Sequence, residues 1–461
     1  MTKRIIISLA QENQAAEENE ITGAAIDQTK EQEQSSQAGA VVVPLEDSEE
    51  EIAAILAVEE LSEEIANDQA DVERSIEVAD GLEDVATIAE NIDQPSPTDI
   101  ALIQTAANMA VAGTDGDATE LVPAAESITS GKALAADLRE RIGYAQEGIM
   151  DSFKAIGEKL GTLGERINEK LSSFLGRVNS LRAALNATEK TKFTVKIKEG
   201  DFSVAKGVKV GTAADLIKAV NQTMAFQADV AAQASQLAAN YHSVVGNVFD
   251  NLKANTFFSD SKSKQGSKYF GPIMAASQAL SNAKGSVIKN SIPNEGSTKT
   301  VLIPAIGDYA LNVVTPDKAS ATTDGMTIKD FLAVYKKYDV VFEKNGGVVK
   351  PEAVEFEVNK QYIEGLVASI EKLANTSRTF VKENTSTGQK IAKILNLGFD
   401  FAENRAVASA AQAVVGRAFN ISGRLLQGVE KMSDNVARGL LRVAIRAVNA
   451  KEEVAQESFN V

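Results

Sequence analysis

The chain has 461 residues, with 64 acidic and 47 basic side chains for a formal charge of −17, no Cys, no Trp and a single His. Without Cys there is no disulfide framework, thiolate nucleophile or Cys-ligated zinc, and His242 alone excludes a multi-histidine metal site and leaves any Ser-His-Asp arrangement to that one residue. Hydrophobic residues make up 44% and aromatics only 5%, so the core must be built from Ala, Val, Leu and Ile, and no run approaches the ~18 apolar residues of a membrane span.

At the start, Lys3 and Arg4 precede Ile5, Ile6, Ile7 and Leu9. That patch is shorter than a secretory h-region and Gln11, Glu12 and Asn13 follow it, so we read a protein made without a classical signal peptide. Residues 1–130 hold 30 acids and four bases, a net −26, which leaves 34 acids and 43 bases, a net +9, in residues 131–461. No Phe or Tyr occurs before Tyr144, and no Lys or Arg lies between Arg74 and Lys132. An acidic leader, largely disordered or loosely helical, is therefore fused to a basic body. Within the leader, Gln11–Gln37 reads as disordered. Ile52, Ile55, Leu56, Val58, Leu61 and Ile65 fall at helical spacings, and further short helices are expected at 69–91 and 98–112. Gln94–Pro97 is a break, and Gly113–Asp117 a flexible stretch. A solvated tail is the ordinary reading of such acidity; a removable or masking segment is the sharper one.

The body reads as mainly α (α+β), with long amphipathic helices, a C-terminal helical hairpin and a small antiparallel β insertion. From Leu134 to Leu181 apolar residues recur at intervals of three, four and seven, one long helix or two in series. Phe193, Val195 and Ile197 alternate with polar residues as in a half-buried strand, Gly200-Asp201 is a turn candidate, and Thr212 is placed to cap a helix running to Leu252. Val301–Ile303 and Tyr309–Val313 read as paired antiparallel strands. A second hairpin is expected from Val340–Glu343 through Asn345-Gly346-Gly347 to Val348–Pro351. Helical period dominates Asn359–Glu383 and Gly388–Ala450, with Thr385–Gly388 as the turn between the two helices. The segments are thus 1–126, 127–190, 191–358 and 359–461, with residues 132–450 expected to fold without the leader.

Enzymatic motifs fail on inspection. Around Gly131-Lys132 a phosphate loop lacks its first Gly, where Glu126 stands, and its closing Ser or Thr, where Ala133 stands. Gly157, Gly161 and Gly164 have the wrong spacing for a dinucleotide fingerprint. Ser261 and Lys264 satisfy SxxK in a polar loop without apolar framing. His242 has no orienting acid or nucleophile at local spacing. The sequence calls for no catalytic residue, no metal and no cofactor.

Arg417, Arg424, Lys431 and Arg438 recur every seven residues, with Arg442 and Arg446 following at four, opposite an apolar face that includes Val414, Ile421, Leu425 and Val436. A solvated bundle face is the ordinary reading. The alternative is non-specific contact with phosphates.

The run Leu160–Leu185 leading into Phe193–Lys198, the stretch Tyr269-Phe270-Gly271-Pro272, the segment Thr300–Ala305 followed by Tyr309, and the paired C-terminal helices together make Lys132–Ala450 resemble the phiKZ-like phage internal head protein family. The resemblance implies a structural virion protein inside a tailed-phage head, packaged with DNA beside other head and inner-body proteins. It also implies a propeptide removed by a prohead protease that cuts after Glu in a small-x-Glu context. Ala124-Ala125-Glu126, followed by Ser127, fits that context at the charge boundary. Other matches stand at Ala10–Glu12, Ala57–Glu59, Ser75–Glu77, Ala118–Glu120, Ala145–Glu147, Ala353–Glu355 and Ala455–Glu457. A cut after Glu126 turns a −17 precursor into a +9 product, and the attached leader is expected to screen the body's cations from DNA. An exported filament or adhesin-like protein and a cytosolic scaffold with a solubilising tail are the competing classes.

Overall fold

The computed structural model describes residues 43–111, 130–253, 265–317, 328–344, 346–395 and 405–450. The expected disorder at Gln11–Gln37, the stretch Gly113–Asp117 and the pair Ser261/Lys264 lie outside these residues. Among the described residues there are eight helices: α1 (Glu49–Glu90), α2 (Pro97–Ala110), α3 (Gly131–Ala187), α4 (Ala213–Lys253), α5 (Gln265–Leu280), α6 (Ile328–Tyr335), α7 (Lys360–Leu395) and α8 (Arg405–Asn449). The strands are β1 (Lys192–Ile197), β2 (Val204–Ala205), β3 (Ile288–Asn294), β4 (Ser297–Ile303), β5 (Tyr309–Pro316), β6 (Asp339–Lys344), β7 (Val348–Val349) and β8 (Val354–Asn359). The mainly helical reading with a small antiparallel insertion holds.

Local signals place the helix starts. Ser48 accepts from the Glu51 amide at 3.2 Å while the Glu51 carboxylate accepts from the Ser48 amide, and Glu49, Glu50 and Glu51 stand at the positive end of the α1 dipole. Ser96 and Asp99 repeat the box on α2, with Pro97 at its first position. Thr212 caps α4 as expected, accepting from the Asp215 amide at 3.2 Å. The pattern from Leu134 to Leu181 becomes one unbroken 57-residue helix, about 85 Å long at 1.5 Å per residue.

Strand pairing differs from the expected hairpins. β4 and β5 pair as read, but within a four-stranded sheet ordered β3-β4-β5-β6 whose edge strand β3 is mostly exposed and too polar to register as a strand. β6 and β7 do not pair with each other: β6 joins β5, and β7 joins β2. β1 pairs with β8 in register Phe193↔Val358 and Val195↔Phe356, a pairing across the whole insertion that local spacing does not encode. The C-terminal hairpin is present, but its expected turn at Thr385–Gly388 lies inside α7, which continues to Leu395.

The largest correction concerns the leader. The helices expected at 52–65 and 69–91 are one 42-residue helix, α1, whose packing on α3 is the most extensive between any two described elements. Val58, Ile65, Val72 and Ile76 of α1 enter the same core as Ile149, Phe153, Ile156, Leu160, Leu163 and Ile167 of α3 and Val414, Val415 and Phe419 of α8. Burial of each such side chain contributes ~1.5–3 kcal/mol. Aliphatic residues alone suffice for this seam, so lack of aromatics did not mean lack of a packed face. On α8, Gly416 permits the close approach, since a Cβ there would stand 3.1 Å from the Phe153 ring. A second core, at the other end of α3 and α8, gathers Phe174, Val178 and Leu181 with β1, α7 and Val436–Val448.

Candidate functional site

The two oppositely charged parts of the sequence meet along α3, and the charges meet with them. α1 runs antiparallel to α3, because its first residues pair with late residues of α3 and its last with early ones. At one end, Arg177 of α3 binds the carboxylates of Asp47 and Glu51, the latter at 3.0 Å, and also donates to the Pro44 and Leu45 carbonyls. In the middle, Lys159 lies 2.5 Å from Glu64 and 2.7 Å from Asp68. At the far end, Arg139 spans Glu83 at 2.9 Å and Glu90 at 2.7 Å. The three cations are 18 and 20 residues apart on α3, which at 1.5 Å per residue spaces them roughly 27–30 Å along one helix. Two of them are held above their ordinary pKa: hydrogen bonds donated to Glu83 and Glu90 raise Arg139, while Asp68 and Glu64 outweigh the burial that works against Lys159.

From Asp47 and Glu51 the network passes into the interior. Arg438 of α8 lies 3.1 Å from Asp47, grips Asp434 at 2.8 and 2.9 Å, and sits over the Phe174 ring at 5.4 Å. Lys170 of α3 lies 2.6 Å from Glu430 and 2.9 Å from Asp434. Lys170, Glu430 and Glu51 are 7%, 1% and 1% exposed, so these charges depend on one another. Burial opposes the Lys170 ammonium, but the two facing carboxylates prevail and keep it charged; burial raises the Glu430 carboxyl beyond what Lys170 offsets.

The C-terminal stripe is thereby accounted for differently from either expectation. Arg417 donates to the Tyr338 carbonyl and pairs with Asp339 at 3.1 Å, and Arg424 reaches the same Asp339 at 2.7 Å. Arg442 donates to the Asp201 carbonyl at 2.9 Å and Arg446 binds the Asp201 carboxylate. Arg438 belongs to the internal network, and Lys431 is half-buried. α8 is enclosed on nearly all sides, so five of the six cations tie it to its neighbours, and of the six Arg442 alone is exposed. The heptad spacing showed that they share a face; it did not show that other elements cover that face. Exposed lysines that the sequence reading passed over are Lys206, Lys209 and Lys218, between β2 and the first turns of α4.

Ala124–Ser127 lies outside the described residues, between Val111 and the α3 cap Ser130, whose hydroxyl accepts from the Ala133 amide at 3.1 Å. Of the rival tripeptides, Ala57–Glu59 and Ser75–Glu77 are within α1, and Ala145–Glu147 within α3; Ala353–Glu355 leads into β8. Ala10–Glu12, Ala118–Glu120 and Ala455–Glu457 lie outside. His242 is half-buried on α4, its pKa lowered by desolvation and by Lys390. Among the described residues, no three His, Asp or Glu side chains converge as a metal site, and no helix is long and apolar enough to cross a membrane.

Compared with known proteins, residues 38–455 match the pattern of the phiKZ-like phage internal head proteins. The match takes in α1 and α2 as well as the body. No curated protein and no solved structure matches the chain.

Proposed function

The chain belongs to the phiKZ-like phage internal head proteins, a membership that puts it inside the head of the virion, and we propose that it is a structural, non-enzymatic component made with an acidic propeptide that a prohead protease severs after Glu126. The observation that supports the structural role in the head is the extent of the family match, from residue 38 to residue 455, while the cut rests on the small-x-Glu context of Ala124–Glu126 at the charge boundary. The filament and scaffold readings give way to it. The segment 1–126 is a unit of processing in this proposal, and its partners are the protease, other head and inner-body proteins, and packaged DNA.

Contact with DNA is weak and independent of sequence. It rests on exposed cations such as Lys206, Lys209, Lys218 and Arg442, while the leader's carboxylates withhold Arg139, Lys159, Arg177 and Arg438. Each phosphate that is no longer neutralised should flatten the salt dependence of duplex binding by about 0.9 in log–log slope. Changing Lys206, Lys209 and Lys218 to Gln should therefore flatten it, and an unchanged slope removes them as phosphate partners. Processing is tested on protein from purified virions by intact mass and N-terminal sequencing. A Ser127 terminus supports the cut; a chain retaining Met1 through Glu126 without interruption removes it.

A further inference from the structure

The proposed cut falls between two parts of one packed unit. Ala79, Leu82, Val85, Ala86, Ala89, Ile103, Ala107 and Val111 on the leader side form a core with Leu134, Ala135, Leu138 and Ile142 on the body side. Its buried members come from nowhere else, so this core exists only while both sides are together. The fit is close: a Cβ on Gly131 would collide with the Ile92 and Ala89 carbonyl oxygens. At the opposite end of α1, Asn449 donates to the Val43 carbonyl at 2.7 Å, and Asp47 and Glu51 neutralise two guanidinium groups that are 13% and 11% exposed.

We infer that residues 43–111 remain clamped on the body after the chain is cut, so that the processed protein is a two-chain particle. The clamp is a property of the packing; only its occurrence in the virion rests on the processing reading above. Hydrolysis of a peptide bond near residue 126 removes the tether and leaves the packing intact. Departure of the fragment would uncover the apolar floor of α3, leave Arg177 and Lys159 without the carboxylates that face them, and strip Asp47 from Arg438, which would keep only Asp434. Retention also changes the electrostatic outcome. Residues 43–126 carry 23 acids and one base, so a two-chain particle of this fragment and the body has a net charge of −13, whereas the body alone has +9. The cut by itself then does not turn the protein into a polycation. What it removes is the covalent constraint at the α2–α3 connection and any segment upstream of residue 43 that is severed separately.

The test is a full-length chain with a site-specific protease sequence inserted between Gly113 and Gly116, cut in the native state and passed over a sizing column at low and high salt. Both pieces are expected to co-elute at the uncut volume and to separate only in denaturant. A leader fragment that elutes alone, leaving a folded body, overturns the inference. Ile65→Ala should speed fragment release at least tenfold in the cut chain while the uncut variant still melts cooperatively; an unchanged release rate counts against the clamp. In virions, a Ser127 terminus together with peptides from 43–111 supports retention, and a Ser127 terminus without them overturns it. An uncut chain in virions defeats the processing reading, and the sizing experiment then decides the clamp on its own.

Discussion

The first long helix and the last differ in charge and in how they dispose of it. α1 has 15 acids and one base over 42 residues; α8 has seven bases and two acids over 45. α1 keeps one side in solvent, where Ile52, Leu56 and Ile88 are exposed among carboxylates, and commits the other to α3. α8 is enclosed, so most cations along it need a carboxylate or a carbonyl close by; Asp47, Asp201 and Asp339 supply them from neighbouring segments and Asp434 from α8 itself. A surplus of one sign in a segment therefore gives no measure of its exposure. In this molecule the acidic segment and the basic one are held to each other through Arg438, and the composition boundary near residue 130 is not a packing boundary.

Removing α1 breaks that comparison most severely. A chain beginning at Ser127 loses Val58, Ile65, Val72 and Ile76 from the main core and the whole partner side of the small core around Leu138. It is expected to lose its cooperative thermal transition, contrary to the independent folding that aromatic content suggested. A Tm within a few degrees of the intact chain would restore the composition boundary. Next in size is Lys170→Met, which leaves Glu430 buried against Asp434 without its cation. A loss of about 3–5 kcal/mol in denaturant unfolding is expected, since a buried pair broken on one side leaves an uncompensated charge. The double change Lys170→Met with Glu430→Leu should recover a large part of it. Ile65→Ala should cost about 2–5 kcal/mol, the range for emptying a buried aliphatic site, although it lies in the segment read from sequence as loosely held.

Much of the fold was legible because the body follows local rules. The stripe Leu134–Leu181 gave α3, Thr212 and Asp215 gave the start of α4, and alternation at Phe193–Ile197 gave β1. What failed was long-range. Nothing near Val348 says that it pairs with Ala205, and nothing near Arg417 says that Asp339 covers it. A signal for the site was nevertheless present: α3 places Arg139, Lys159 and Arg177 at intervals of 20 and 18, and α1 offers Glu83, Asp68 and Glu51 at intervals of 15 and 17. Reading leader acids only as mutual repulsion hid that match. Ala124–Ser127 was legible as a tripeptide context alone.

Smaller effects sharpen the same contrast. Burial raises the Glu430 pKa on folding, so the folded chain holds that proton more tightly than the unfolded one. Its stabilising contribution is complete below the unfolded carboxylate value of about 4.3 and is lost as pH rises through the raised folded value. Glu430→Gln should therefore gain stability relative to the parent as pH rises across that window, read from paired denaturant titrations. A constant difference would mean that Lys170 fully offsets burial. Smallest is Leu56→Ser on the solvent side of α1, expected within about 0.5 kcal/mol of the parent. A loss of about 2 kcal/mol or more there, well beyond the usual surface range, would mean that this face is covered in solution.

Native-state hydrogen exchange on the intact chain tests the integration of α1 most directly, since it perturbs nothing. Amides of α1 around Ile65 and Val72 should be protected to the same depth as those of α3 around Leu160, both opening only with global unfolding. Exchange of α1 at near-unfolded rates while α3 stays protected would contradict it, and would return the leader to the loosely attached tail that its composition suggests.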